Sequence, residues 1–154
     1  MGCDVHIYRE RMDENGKWKE MDTFTKEDDE DYPDYISSDA LGQLREYCLF
    51  GILAEGVRYD TDQAFIVKGI PEDVSKPIDE LVQQWCSDGH SHSYLNIKEV
   101  FEKVKHLRSY ALIGELSPYY MDIADSLEKV IKNRFTPDEI SNPEKHRIVF
   151  WFDN

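Results

Sequence analysis

Two short stretches of this chain carry side chains whose types and spacing suit metal binding or proton transfer. The first holds Asp4 and His6. Because side chains alternate along a strand, these two share one face about 7 Å apart, while Cys3 points to the other face. A carboxylate beside an imidazole can ligate a divalent metal or can orient the imidazole as a base. The alternative is a half-buried histidine that is hydrogen-bonded to Asp4 and has no chemical role.

The second stretch spans residues 87–94 and is rich in serine and histidine. In extended backbone, His90 and His92 point the same way, as a pair of metal ligands requires. We expect a loop between two helices, made mobile by Gly89, and such loops often hold functional groups. The alternative is a polar connector in which Ser93 helps to begin the next helix.

Together the two stretches predict a metal site with nitrogen and oxygen donors, suited to zinc or manganese. The candidate ligands are Asp4, His6, His90 and His92. Asp88 or Ser91 would position the water in a metal-assisted hydrolysis, and Cys3 is a further candidate nucleophile. Arg9 or Arg58 would hold an anionic substrate, although the sequence places neither near the site.

These residues need a scaffold, and hydrophobic periodicity predicts an α+β fold. Residues 3–11 alternate as a strand does, and Asn15-Gly16 suits a tight turn into a second strand from about Trp18 to Phe24. Residues 146–152 are nearly all apolar, which is typical of a central strand covered on both faces. We therefore expect one domain, residues 1–154, whose small, mainly antiparallel sheet includes the N- and C-terminal strands.

About four helices are expected to pack on this sheet. Apolar residues recur at helical spacing over residues 41–52, 77–86, 97–107 and 118–135. Asn96 with Glu99 resembles a capping box, and Thr136 opens a further short helix. Residues 64–67 are expected to form a short strand, and the acidic run at residues 26–34 a solvated loop.

The charge balance narrows the classes of partner. The chain has 18 Lys and Arg against 32 Asp and Glu, a net charge of −14. Such a surface repels nucleic acids and anionic membranes, and leaves cations or a host protein with a basic surface. Three cysteines without a Cys-x-x-Cys spacing favour a reducing, cytoplasmic environment. No stretch approaches the roughly 20 apolar residues of a membrane span.

The opening Met1-Gly2-Cys3-Asp4-Val5-His6 and the segment His90-Ser91-His92-Ser93-Tyr94-Leu95 carry a resemblance. The chain resembles a family of small uncharacterised proteins of bacteriophages and bacteria that open M-G-C-D-[IV]-H and carry H-S-x-S-[YW]-L in mid-chain. The resemblance implies a phage or prophage cytoplasmic protein and no particular activity. His92 occupies the variable position of the motif, so His6 with His90 becomes the better ligand pair.

Three functions remain open from the sequence. The first is a metal-assisted hydrolase acting on a phosphoester or nucleotide, a small anionic substrate. The second is a non-enzymatic acidic binder that inhibits a host nucleic-acid-binding protein or sequesters a nucleotide signal. The third is structural, with Asp4, His6, His90 and Ser91 in a hydrogen-bond network that joins the first strand to the mid-chain segment.

Overall fold

The α+β fold class is confirmed by a computed structural model. The structure describes residues 2–22, 24–29, 32–37, 46–112 and 117–153, and between residues 24 and 37 it describes the backbone alone. Its elements in chain order are β1 (Asp4–Met12), β2 (Trp18–Glu20), β3 (Phe24–Asp29), β4 (Tyr32–Ser37), α1 (Tyr47–Leu53), α2 (Lys76–Trp85), β5 (Gly89–Asn96), α3 (Ile97–Ala111), α4 (Ser117–Lys132), α5 (Pro137–Ile140) and β6 (His146–Asp153).

A four-stranded antiparallel sheet in the order β2-β1-β6-β5 contains both terminal strands, as the sequence predicts. β6 lies between β1 and β5, and every residue from Ile148 to Phe152 is fully buried. A strand covered on both faces needs apolar side chains on both, and this explains the unbroken Ile-Val-Phe-Trp-Phe run. The prediction of a central C-terminal strand is confirmed.

β1 and β2 form the predicted hairpin, with Met12 opposite Trp18. Gly16 adopts φ 76° in the turn, a conformation that residues with a Cβ rarely adopt. The second strand ends at Glu20, earlier than expected, and beyond it the Asp22 carboxylate binds Arg9 of β1. It accepts hydrogen bonds from the Arg9 backbone N–H at 2.7 Å and from Arg9 Nε at 2.8 Å.

The helices confirm most of the helical periodicity. α2 and α3 begin within a residue of their predicted starts, and α3 carries the expected capping box between Asn96 and Glu99. Thr136 caps α5 in the same way. α1 begins at Tyr47, and residues 41–45 of the helix predicted there lie outside the described residues. None of the described helices is long and apolar enough to span a bilayer.

Three local predictions were wrong. Most of the acidic run at residues 26–34 lies in a two-stranded antiparallel sheet of β3 and β4, in which Glu27 faces Asp34. Residues 64–67 form no strand. Residues 89–96 form an edge strand, β5, in place of the expected mobile loop. Gly and acidic residues are depleted in strands, and His and Ser are not enriched there, so pairing with a neighbouring strand overrides local preference in both sheets.

The described chain divides into two compact units. One comprises residues 1–45, 67–94 and 147–154, and in it α2 packs its apolar stripe on one face of the sheet. The core of this packing contains Tyr8, Ile78, Leu81, Val149 and Trp151. The other comprises residues 46–66 and 95–146, and its main feature is the packing of α3 against α4.

Candidate functional site

The first strand and the last strand bring His6 and Asp153 together. His6 Nε2 lies 2.9 Å from Asp153 Oδ2, and the other carboxylate oxygen accepts the backbone N–H of Asp4 at 3.2 Å. The antiparallel pairing of β1 with β6 explains this contact, because the start of one strand faces the end of the other. We call this pair the dyad.

The dyad leaves one imidazole nitrogen available. With Asp153 ionised, Nε2 of a neutral His6 carries the proton and donates it, so that Nδ1 keeps a lone pair. Nδ1 has no hydrogen-bond partner among the described residues, and it is not fully buried. The side chains are 21% exposed for His6 and 18% for Asp153, so solvent reaches the pair.

Aromatic rings surround the imidazole of His6. Its centroid lies 4.3 Å from that of Trp85 at the end of α2, and 5.7 Å from that of Trp151 on β6. Tyr8, the next residue on the same face of β1, stacks on Trp151 at 5.1 Å. Burial raises the pKa of the Tyr8 phenol, which therefore stays protonated and cannot serve as a base.

His92 on β5 extends this aromatic row across the sheet, and its ring lies 5.9 Å from that of Trp151. Burial lowers the pKa of His92, and the charge of His90 lowers it further. Nε2 of His92 and Nε1 of Trp151 are buried without a hydrogen-bond partner among the described residues. A neutral His92 limits the cost of this unsatisfied position.

Gly89 packs closely against this row instead of loosening it. A Cβ atom at residue 89 would lie 3.2 Å from His92 Nε2, 3.2 Å from Trp151 Cδ1 and 3.3 Å from Trp85 Cβ. These distances are shorter than ordinary van der Waals contact, so the absent side chain allows the strand to approach the rings. The expected mobility at Gly89 is replaced by close packing.

His90 and His92 do not lie side by side on one face as the His-x-His spacing predicts. Ser91 between them has φ 54°, which interrupts the alternation of an extended strand. His92 stacks on Trp151 and His90 on Phe152, at 6.1 Å, and consecutive strand residues point to opposite faces. His90 Nδ1 lies 3.0 Å from Ser91 Oγ. His6 and His90 thus contact different residues of β6.

The other candidates have environments of their own. Asp88 is exposed in the turn between α2 and β5. Cys3 is 2% exposed. Arg9 is held by Asp22, and Arg58 lies over the ring of Tyr47, 5.0 Å from its centroid.

No group of three or more His, Cys, Asp or Glu side chains in the described part of the chain is arranged to hold a metal ion. The zinc or manganese site at Asp4, His6, His90 and His92 therefore stays a prediction.

Sequence reasoning found His6 but missed its partner. Asp153 follows five buried apolar residues, and the predicted pairing of the two terminal strands already placed it opposite the start of β1. The sequence therefore did hold a signal for Asp153, which is a carboxylate at the end of an apolar strand. The placement of Trp85 beside His6 depends on how α2 crosses the sheet, which no local pattern encodes.

Comparison with known proteins adds no relative: no protein-family model, no curated protein and no solved structure matches this chain.

Proposed function

We propose that this protein is a hydrolase in which His6, oriented by Asp153, removes a proton from the attacking water. The observation that carries the proposal is the 2.9 Å contact between His6 Nε2 and Asp153 Oδ2, which leaves Nδ1 as the basic nitrogen. A carboxylate that fixes the tautomer of an imidazole and stabilises its protonated form is the usual support of a general base.

The surroundings of the dyad favour an uncharged substrate with an aromatic group. Trp85 and Trp151 flank His6 with apolar rings, which suit a planar group. Of the three arginines on β1 and β6, Arg9 is engaged by Asp22 and Arg147 by Glu10. Arg11 is at odd spacing from His6 on β1 and so points to the opposite face of the strand. An aromatic carboxylic ester fits these features better than a phosphoester, whose negative charge would need a bound cation.

The test is hydrolysis of p-nitrophenyl acetate by the wild-type chain and by His6→Gln and Asp153→Asn. Loss of the general base is expected to lower kcat/KM at least about 100-fold, and loss of the orienting carboxylate at least about 10-fold. His106→Gln is the matched control, because this exposed histidine lies on α3 and packs on Tyr110. Equal rates for the wild-type chain and His6→Gln would refute the proposal.

The metal-assisted hydrolysis predicted from the sequence is tested in the same assay. In that mechanism p-nitrophenyl phosphate is the substrate, and Zn²⁺ or Mn²⁺ supplies the positive charge that the described side chains near the dyad do not offer. Activity should then require added metal and should fall in Asp4→Asn and His90→Gln as well as in His6→Gln.

A second candidate function is an acidic binder of a host protein with a basic surface. The observation that favours it is the β3–β4 pair, where Glu27 stands directly opposite Asp34. Like charges in that position destabilise an isolated strand pair, so a basic partner would relieve the repulsion. Glu27→Gln with Asp34→Asn should abolish capture of such a partner while His6→Gln should not, and the opposite result would exclude the binder.

A further inference from the structure

Two indole rings flank His6, and only one of them is open to a substrate. Trp151 is 0% exposed, and the rings of Tyr8 and His92 pack against it. Trp85 is partly exposed at the last residue of α2, and its ring centroid lies 4.3 Å from that of His6. A molecule that brings its reacting carbon next to His6 can therefore rest a neighbouring group on Trp85 but not on Trp151.

The position of Trp85 depends on the turn that follows it. α2 ends at Cys86, whose φ is 43°. The Asp88 N–H then donates to the Trp85 carbonyl at 2.8 Å, and the chain enters β5 at Gly89. The first residue of β5 thus lies against the last residue of α2.

A side chain at residue 89 would have to push one of three neighbours away. Its Cβ would lie 3.2 Å from both His92 Nε2 and Trp151 Cδ1, and 3.3 Å from Trp85 Cβ, so that a neighbour must yield by a few tenths of an ångström. The Trp151 ring and His92 Nε2 are buried in the packed row across the sheet, where atoms have little room to shift. Trp85 is partly exposed at a helix end, so it is the neighbour that moves.

We infer that Trp85 is the specificity-determining residue of the hydrolase, on which the aromatic group of the ester lies, and that Gly89 positions it against His6. The inference rests on the proposed function. An indole face favours another flat ring over an aliphatic group, because aromatic pairs gain an interaction beyond the burial of their area. Gly89 has no side chain to offer a substrate and acts only through Trp85.

The role of Gly89 is tested by the carbon-bound ring protons of His6, whose NMR chemical shifts report the ring current of the nearby indole. Trp85→Leu gives the shifts without that ring. Gly89→Ala should move the His6 signals towards those positions, and Gly2→Ala should leave them unchanged, because a Cβ at residue 2 meets nothing within 4 Å. His6 signals that stay at their wild-type positions in Gly89→Ala would overturn the inference.

The role of Trp85 is tested with p-nitrophenyl acetate and trifluoroethyl acetate, of which only the first is aromatic. Trp85→Leu should raise KM for the aromatic ester at least about threefold and leave kcat within about twofold. Gly89→Ala should act in the same direction but less, and neither variant should change KM for the fluorinated ester. Trp18→Leu is the matched control, because Trp18 lies on β2 and its ring centroid is 4.0 Å from the Arg147 guanidinium.

The outcomes separate the role of Trp85 from the proposed function. Equal changes in KM for both esters, or an unchanged KM for p-nitrophenyl acetate in Trp85→Leu, would overturn the role of Trp85 in a chain that is still active. A wild-type chain that hydrolyses neither ester would refute the proposed function, and the specificity role with it.

Discussion

At the scale of single residues, Arg147 and Glu10 form the most buried ion pair among the described residues. Arg147 Nε lies 2.7 Å from Glu10 Oε1, and the two side chains are 5% and 0% exposed. Glu10 also accepts the Ser75 N–H, so one carboxylate links β1, β6 and the start of α2. Without Glu10, the buried Arg147 keeps Asp73 at 3.0 Å as an acidic partner, but Asp73 is 64% exposed, so most of the buried charge stays uncompensated.

Glu10→Gln should therefore lower the free energy of unfolding by about 3–5 kcal/mol, measured by urea denaturation. The matched control is Glu144→Gln, because Glu144 is 68% exposed in its 2.8 Å pair with Lys98. Water screens that pair, and no measurable change is expected. Equal losses in the two variants would show that burial of the Glu10 pair contributes nothing.

His92 should make stability depend on pH. Its pKa is lower in the folded chain than in the unfolded one, because burial and the charge of His90 disfavour protonation. The unfolded chain therefore binds more protons between these two pKa values, and stability falls as pH drops below the unfolded value of about 6.5.

His92→Gln should reduce the loss of unfolding free energy between about pH 7 and about pH 5, followed by urea denaturation. His106→Gln keeps His92 and serves as the control, with the slope of the wild-type chain. An identical slope in His92→Gln would mean that this imidazole is not protonated more readily on unfolding.

At the scale of elements, the strand β5 contains a strained residue. Ser91 has φ 54°, a conformation that costs a residue with a Cβ roughly 1 kcal/mol and costs glycine almost nothing. Ser93, two residues along, is fully buried, and its Oγ accepts the Lys68 N–H at 3.1 Å.

Ser91→Gly should raise the free energy of unfolding by about 0.5–1 kcal/mol, whereas Ser93→Gly should lower it. Thermal denaturation followed by circular dichroism measures both. Destabilisation by Ser91→Gly would indicate that the contact of Ser91 with His90 outweighs the backbone strain.

At this scale, local sequence predicts some strands and helices of the fold but not others. β6 was predictable because five consecutive apolar residues need cover on both faces, and α3 because Asn96 and Glu99 cap it. β5 was not, since Gly is depleted in strands and His and Ser are not enriched there, and it is the pairing with β6 that stabilises the strand. His6 was found from its own residue type, but its partner Asp153 is set by strand pairing over 147 positions.

At the scale of the whole molecule, a net charge of −14 is the dominant electrostatic feature. Self-repulsion among 32 acidic residues opposes the folded state, and salt screens it. The urea midpoint should therefore rise as NaCl is increased from about 0.02 M to about 0.5 M. KCl at equal concentration should act alike, because screening does not distinguish the two cations, and a falling midpoint would contradict the account.

The central claim is that Asp153 fixes the proton of His6 on Nε2 and leaves Nδ1 as the base. Two-bond ¹H–¹⁵N correlation spectra of the uniformly ¹⁵N-labelled chain at about pH 8 distinguish the two neutral tautomers directly. The same spectra of Asp153→Asn show whether the tautomer of His6 depends on the carboxylate. The structure predicts the Nε2–H tautomer for His6 in the wild-type chain and its loss in Asp153→Asn. A His6 protonated at Nδ1 in the wild-type chain would contradict the account.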